Sequence, residues 1–269
     1  MWVDINAYVG NWPYKKLKDS NLEGLLGRMD RFGVYQSVVA NLNCLFYKNT
    51  HTGNEELFEE LQHHKKNNNR IIPFAVINPL YPGWKRDFEK CIDLGAKGFR
   101  IYPQYHDYLP DDKACLELVN MAAEAGLPVG LTIRMVDSRQ RSWLDIDHVA
   151  GTSKGEWSLR NFIPLLKAAP NTRYLILNIA NGLGVNAEDV ALLKNDNVLF
   201  DTSGRSLHHM PDILKQFGPE KFAFGTHSPI LDYLTGMLRI ESMADSEADS
   251  TVKNKLRYQN AQQFLALKY

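Results

Sequence analysis

Two arginines and one histidine lie within or just after short apolar runs, and their side chains suit the handling of a small anion. Arg100 stands inside one such run, and Arg134 and His227 each follow one. A guanidinium can hold a carboxylate or phosphate through two parallel hydrogen bonds. An imidazole ordinarily titrates near neutral pH, so His227 is a candidate general base or acid. The sequence therefore predicts a site for a small anionic molecule.

Further polar residues are placed in the same way and complete the predicted site. Asp201 ends an apolar run, and a carboxylate near His227 would orient the imidazole as in other His–Asp pairs. Ser203 and Ser228 are candidate nucleophiles only because they are close in sequence to these residues. The remaining predicted binding residues can donate or accept hydrogen bonds to a ligand, and they are Asn6, Tyr8, Thr132 and Asn178.

Each of these residues also has a purely structural interpretation. Arg100 could pair with Asp4 or Asp201 inside the protein, because a buried charge needs a partner. His227 could be a hydrogen-bonded core residue, and the amides could simply fill a polar interior. Arg134 favours a ligand contact, because it lies at the start of the longest irregular stretch of the chain, up to Trp157.

Strand-like and helix-like segments alternate along the whole chain. The strand candidates are apolar runs, which is typical of parallel strands buried on both faces. Eight strand–helix units in this length predict an α/β fold, a (β/α)8 TIM barrel with an extra C-terminal helix over about 251–267. A doubly wound sheet is the alternative, but no G-x-G-x-x-G motif follows the first strand. The predicted strands are Trp2–Asn6, Val34–Ala40, Ile71–Ile77, Gly98–Tyr102, Val129–Ile133, Tyr174–Asn178, Val198–Asp201 and Phe222–Gly225.

The barrel would bring the candidate residues together, because barrel enzymes place their sites at the carboxyl ends of the strands. Strand alternation predicts that Asp4, Asn6 and Tyr8 share one side of the first strand. The small residues Ala223 and Gly225 are expected to leave room at the barrel centre for the imidazole of His227 and a bound molecule.

Composition excludes several classes of protein. The 269 residues carry 31 Lys plus Arg and 31 Asp plus Glu, so bulk positive charge for nucleic acid or a membrane surface is missing. Three scattered cysteines indicate neither a disulfide framework nor a thiolate metal site. With no secretory signal and no bilayer-length apolar stretch, we expect a cytoplasmic protein forming one domain over residues 1–269. Barrels of this kind often pair, so a homodimer is compatible with the sequence.

Seven segments in order resemble the amidohydrolase superfamily, in the amidohydrolase-related branch that includes decarboxylases and lactonases. The resemblance covers most of the chain and implies the same barrel. The opening segment Val3–Gly10 resembles a strand that normally reads Asp-x-His-x-His. The other segments that resemble strand ends or the last helix of the family are Gly98–Pro103, Leu127–Thr132, Leu175–Gly182, Val198–Gly204, Phe224–Pro229 and Asn260–Ala261.

The metal positions that the resemblance implies hold other residues. Asn6 and Tyr8 stand where the first-strand histidines are expected, and Thr132 and Asn178 stand where the fifth- and sixth-strand histidines are expected. His227 stands where the eighth-strand aspartate is expected. Zinc is usually held by several His, Cys or carboxylate donors, which this set lacks. We therefore predict a family barrel without a bound metal and without a cofactor.

Two functions follow from this interpretation. The first is a metal-independent hydrolase of lactonase type, in which Arg100 and Arg134 hold a carboxylate- or phosphate-bearing substrate and His227 activates water. Some lactonases of the resembled family are thought to need no metal. The second is a catalytically inactive family member that binds or senses a small anionic ligand.

Overall fold

The structure is a computed structural model that describes residues 1–64, 69–133, 135, 158–178, 185–204 and 209–267. Arg134 lies outside the described residues, and so does the predicted long loop except for Met135. The other predicted site residues are all described.

Eight parallel strands form the sheet of the described chain, and each strand pairs with the next in sequence order. The barrel closes where β1 meets the segment after β8: Ile5 N donates to Phe224 O at 2.9 Å, and Tyr8 N donates to Ser228 O at 2.8 Å. The predicted (β/α)8 barrel is thus confirmed. The strands are β1 Trp2–Val9, β2 Val34–Asn41, β3 Ile71–Val76, β4 Gly98–Ile101, β5 Val129–Thr132, β6 Tyr174–Leu177, β7 Val198–Asp201 and β8 Phe222–Ala223.

Helices alternate with these strands and cover the outside of the sheet. The predicted final helix is present but is interrupted by a π-helical turn at Lys255–Gln259. Two short helices in the loops after β2 and β4 carry no clear sequence signal. The helices are α1 Leu22–Phe32, α2 Asn43–Phe46, α3 His51–His63, α4 Trp84–Asp93, α5 Pro103–His106, α6 Lys113–Glu124, α7 Ile163–Ala168, α8 Ala187–Leu193, α9 Met210–Phe217, α10 Tyr233–Glu241, α11 Ser250–Asn254 and α12 Asn260–Leu265.

Apolar side chains fill the lower part of the barrel interior. The C-terminal helices close this end: Ala261 packs on the interior side chains, and Arg173, just before β6, donates to Phe264 O at 2.7 Å. Burial of this set removes apolar surface from water, which stabilises the fold by roughly 25 cal/mol for each Å² buried. We call it the inner cluster, and its strand members are Val3, Ile5, Val38, Ile72, Phe74, Leu175, Leu177, Leu199 and Ala223.

A register shift in β1 changes which side chains face the interior. The β1–β2 pairing shifts between Asp4 and Ala7, as at a β-bulge. Val3 and Ile5 belong to the inner cluster, whereas Ala7 packs between the sheet and the helices. One extra residue reverses the alternation of a strand. The prediction that Asp4 shares a side with Asn6 and Tyr8 is therefore wrong, and Asp4 lies on the outer face.

Candidate active site at the carboxyl ends of the strands

A layer of buried polar side chains lies above the inner cluster, and Asn6 is its centre. The Asn6 side-chain oxygen accepts from Arg100 Nη1 at 3.0 Å. Its Nδ2 lies 2.7 Å from Asp201 Oδ2, 3.2 Å from Ser203 Oγ and 3.2 Å from His227 Nδ1. One neutral amide thus connects a guanidinium, a carboxylate and an imidazole. Because Nδ2 has two hydrogens for three acceptors, it cannot satisfy all of them at once.

Arg100 is fully buried, and its described contacts are with uncharged groups. Besides Asn6, its Nη2 lies 3.4 Å from the Val38 carbonyl, and its guanidinium carbon lies 4.5 Å from the centre of the Tyr8 ring. Its Nε has no hydrogen-bond partner in the described part of the chain. No ion pair joins Arg100 to Asp4 or Asp201 among the described residues, so the alternative of an internal salt bridge is not the arrangement found there.

The side chain of Arg100 can lie across the barrel because the facing residue on β5 is small. Gly130 pairs with Arg100 in the β4–β5 register. A Cβ at Gly130 would lie 3.1 Å from Arg100 Cγ, which is tighter than most real contacts. Glycine at this position therefore makes room for the arginine stem.

His227 is buried, and both of its ring nitrogens have protein neighbours. Its Nε2 lies 2.8 Å from Met135 O, and a carbonyl can only accept, so Nε2 carries the hydrogen. In the neutral ring Nδ1 then accepts from Asn6 Nδ2. Asn178 Nδ2 lies 3.4 Å from Nε2, but both atoms carry hydrogen in this tautomer. The arrangement turns the basic lone pair of Nδ1 toward Asn6.

Asp201 anchors the opposite side of Asn6. Its Oδ1 accepts from the backbone N of Asn178 at 2.8 Å, and Ser203 Oγ donates to its Oδ2. A Cβ at Gly225 would lie 2.8 Å from Asp201 Oδ2. The room that the small residue provides is thus taken by Asp201, and not by the imidazole as the sequence suggested.

Hydroxyl groups and aromatic rings cover the polar layer. Burial raises the pKa of Tyr8 and Tyr102 above the ordinary tyrosine value, so both hydroxyls stay neutral donors. Tyr8 also meets His227 edge-to-face, with ring centres 5.1 Å apart. Thr132 lies near the Tyr8 hydroxyl, but its buried Oγ1 has no partner of hydrogen-bond geometry among the described residues.

The structure thus brings seven predicted residues into one buried layer: Asn6, Tyr8, Arg100, Thr132, Asn178, Asp201 and His227. Two other contributors could not be assigned from the sequence. Ser203, two residues beyond Asp201, was a candidate by nearness only and here binds Asp201. Met135 contributes its main-chain oxygen to His227, and a backbone acceptor leaves no trace in the residue type.

The described residues do not fit a divalent metal ion. No group of three or more His, Cys, Asp or Glu is arranged to hold one in the described ranges. Both Asp201 oxygens already accept hydrogen bonds, and Nε2 of His227 is bound to Met135 O. The Arg100 guanidinium, 3.0 Å from the Asn6 oxygen, would also place a fixed positive charge beside the ion.

A parallel barrel with a buried polar layer at the carboxyl ends of its strands has the architecture of a barrel enzyme. The family model described as amidohydrolase matches residues 15–267. The chain therefore belongs to the amidohydrolase family, as the resemblance predicted. No protein of curated function is similar enough in sequence to count as a relative.

Solved structures share the fold at low sequence identity. A Staphylococcus aureus protein assigned to the amidohydrolases has 18% identity and a TM-score of 0.72, with 99% of each chain covered. A dihydroxybenzoic acid decarboxylase from a Polaromonas species, with bound manganese and the inhibitor 2-nitroresorcinol, has 14% identity and a TM-score of 0.70 over 99% of this chain and 97% of that one. An Acinetobacter baumannii protein assigned as a 2-pyrone-4,6-dicarboxylic acid hydrolase, with citric acid bound, has 11% identity and a TM-score of 0.65 over 98% and 99%.

Proposed function

We propose that this amidohydrolase-family chain is a metal-independent hydrolase of lactonase type that acts on a small carboxylate- or phosphate-bearing substrate. The observation that carries the proposal is the partly unused guanidinium of Arg100 inside the barrel. Among the described residues, helices long and apolar enough to cross a membrane are missing. The cytoplasmic location and the homodimer stay predictions.

The unused part of Arg100 has the geometry that an anion needs. Nε and Nη2 share one edge of the planar group; within the described residues Nε has no hydrogen-bond partner, and Nη2 lies 3.4 Å from Val38 O. Two parallel N–H groups on one edge match the two oxygens of a carboxylate. A fully buried cation with neutral neighbours also gains from a counter-ion. The Tyr8 ring lies 4.5 Å from the guanidinium carbon, and Thr132 lies beside the Tyr8 hydroxyl.

A carboxylate is favoured over a phosphate by the chemistry of the relatives. The Polaromonas and Acinetobacter proteins are named for carboxylic acid substrates, and the latter holds citric acid. The manganese of the Polaromonas protein is not carried over, because the described residues of this chain do not fit a metal. Citrate is therefore the first ligand to test.

The proposed hydrolysis uses His227 as the general base. Water attacks the ester carbonyl of a lactone as its proton passes to Nδ1; the C–O bond to the ring oxygen then breaks, and Nδ1 gives that proton to the leaving oxygen, which yields a hydroxy acid and the neutral imidazole. The Met135 carbonyl holds Nε2–H and so orients the imidazole as it becomes charged. Asn6 would exchange its Nδ1 contact for the remaining acceptors, Asp201 and Ser203.

The test uses chelator-treated protein and a panel of lactones that carry a carboxylate. We expect hydrolysis that added Zn²⁺ or Mn²⁺ does not raise, and a loss of about 100-fold or more in His227→Gln. Citrate affinity should change little in this variant, because Arg100 is intact. His209→Gln, an exposed histidine at the start of α9, is the matched control and should keep full activity. Activity that follows added metal would contradict the proposal.

An inactive binding protein is the second candidate, and one observation favours it. Both nitrogens of His227 have protein neighbours, Asn6 and Met135, so the imidazole can be a fixed part of the structure. Citrate binding that depends on Arg100, without turnover of any lactone in the panel, would favour this function over hydrolysis.

A further inference from the structure

Asp4 lies outside the barrel wall, yet its carboxylate joins the two segments that carry Asn6 and His227. Its Oδ1 accepts from Asn6 N and from Thr226 N, each at 3.0 Å. Its Oδ2 accepts from Thr226 Oγ1 at 2.6 Å. One fully buried side chain therefore bonds β1 and the segment after β8 at the same time.

This junction is where the regular strand ladder is weakest. β8 is a two-residue strand, and the register of β1 shifts between Asp4 and Ala7. A bulge leaves backbone N–H groups outside the ladder, and a buried N–H without an acceptor costs roughly 1–3 kcal/mol. Asp4 supplies the acceptor that the ladder does not supply to Asn6 N and Thr226 N.

The two segments held in this way are the ones whose side chains meet at the site. His227 has a positive φ of 59°, and its N donates to Asn6 O at 2.7 Å. The Thr226 hydroxyl also accepts a hydrogen bond from Ser228 N at 3.0 Å, which fixes the turn around His227. The Asn6 Nδ2 to His227 Nδ1 contact thus depends on backbone that Asp4 bonds directly.

We propose that Asp4 is a positioning residue that sets the Asn6–His227 contact from the outer face of the barrel. The effect of Asp4 on activity rests on the proposed function, whereas its effect on the Asn6–His227 contact does not. The acceptor oxygen is what matters for positioning, so an amide should replace the carboxylate. The groups that face Asp4 from the packed elements are Arg28 of α1 and Tyr233 of α10, beside Ser37 of β2.

The experiment reads the imidazole of His227 directly by ¹⁵N NMR of histidine-labelled, ligand-free protein. His227→Gln assigns the signal by its disappearance. We expect Asp4→Ala to shift the His227 nitrogen signals and Asp4→Asn to leave them at the wild-type positions. This rescue separates positioning from mere burial, because both variants remove the charge and only one keeps the acceptor.

Asn54→Ala is the matched control. Asn54 is buried, and its side chain also bonds strand backbone, here at the end of β3: it accepts from Val76 N at 2.8 Å and donates to Val76 O at 2.7 Å. Its loss should lower stability without moving the His227 signals. If Asp4→Ala does not fold, Thr226→Val replaces it, because it removes the hydroxyl that Asp4 and Ser228 share and should shift the same signals.

Two outcomes would overturn the proposal: unshifted His227 signals in Asp4→Ala or in its substitute Thr226→Val, or equal shifts in Asp4→Asn and Asp4→Ala. Citrate titration of the wild type is run in parallel. Absence of binding there would count against the proposed function, while the NMR result still decides the role of Asp4.

Discussion

Two fully buried ionisable side chains lie on opposite faces of the barrel wall, and they use their hydrogen-bonding capacity very differently. On the outer face, both oxygens of Asp4 are occupied by two backbone N–H groups and one hydroxyl. On the inner face, Arg100 has five N–H hydrogens, yet its Nε has no hydrogen-bond partner in the part of the chain that the structure describes, and its Nη2 makes a long contact. The fold itself satisfies Asp4, whereas the described residues leave part of the hydrogen-bonding capacity of Arg100 without a partner.

A buried charge can indicate function through the hydrogen bonds that the fold leaves unmade. A buried polar group that the fold satisfies is explained by the fold. One that the fold leaves partly unsatisfied needs another explanation, and at the carboxyl ends of barrel strands the natural one is a bound molecule. Arg100 should therefore govern binding, and Asp4 should govern stability and the geometry of the site.

The largest expected effect is on ligand binding when Arg100 is removed. Arg100→Met should weaken citrate binding by about 1000-fold, roughly 4 kcal/mol, because a desolvated charge pair loses one partner. Calorimetric titration measures it. Stability should be equal or higher, since an apolar side chain replaces a buried charge. Arg239→Met removes another buried arginine, on α10, and serves as the control with unchanged affinity. Citrate binding to Arg100→Met within a few-fold of wild type would contradict a ligand-binding role for Arg100.

The next effect is the pH dependence of stability that Asp4 causes. Burial raises the pKa of Asp4 from 3.8 to about 6. Below pH 3.8 the Asp4 carboxyl is protonated in both the folded and the unfolded protein, and its stabilisation is complete. As pH rises, the unfolded chain loses this proton first, so the free energy of unfolding falls until the folded protein also ionises near pH 6. The total loss is up to about 3 kcal/mol for this shift.

Asp4→Asn isolates that contribution. The amide oxygen still accepts the two backbone N–H groups, but the side chain no longer titrates. Urea unfolding from about pH 4 to pH 8 should give a wild-type curve that falls relative to the variant between these limits. A constant difference between the two proteins across that range would show that the ionisation of Asp4 does not contribute.

The barrel could be predicted from the sequence, because apolar runs alternating with helices permit few parallel topologies. The polar layer could also be predicted, since residues at strand ends such as Arg100 and Asp201 must converge at one rim. The face of β1 on which Asp4 lies could not be predicted, because a single bulge reverses the alternation of side chains and no residue type in this strand indicates the bulge. The central hydrogen-bonding role of Asn6 could not be predicted either, since it depends on where the side chains of Arg100 and His227 point.

The smallest effect contrasts two threonine hydroxyls on the two sides of the wall. Thr132 Oγ1 is buried without a partner of hydrogen-bond geometry among the described residues, whereas Thr226 Oγ1 donates to Asp4 and accepts from Ser228 N. Thr132→Val should leave stability unchanged or raise it by up to about 1 kcal/mol, because an unsatisfied hydroxyl is removed. It should weaken citrate binding about 5-fold, near 1 kcal/mol, since the hydroxyl lies beside Tyr8, whose ring contacts Arg100.

Thr226→Val should do the reverse and lower the free energy of unfolding by about 1–3 kcal/mol, because Asp4 and Ser228 both lose a buried partner. Urea unfolding and citrate titration of both variants decide the contrast. If Thr132→Val lowers stability as much as Thr226→Val and leaves citrate binding unchanged, the Thr132 hydroxyl serves the fold. The inner face would then hold no more unused capacity beside Arg100 than the outer face does beside Asp4.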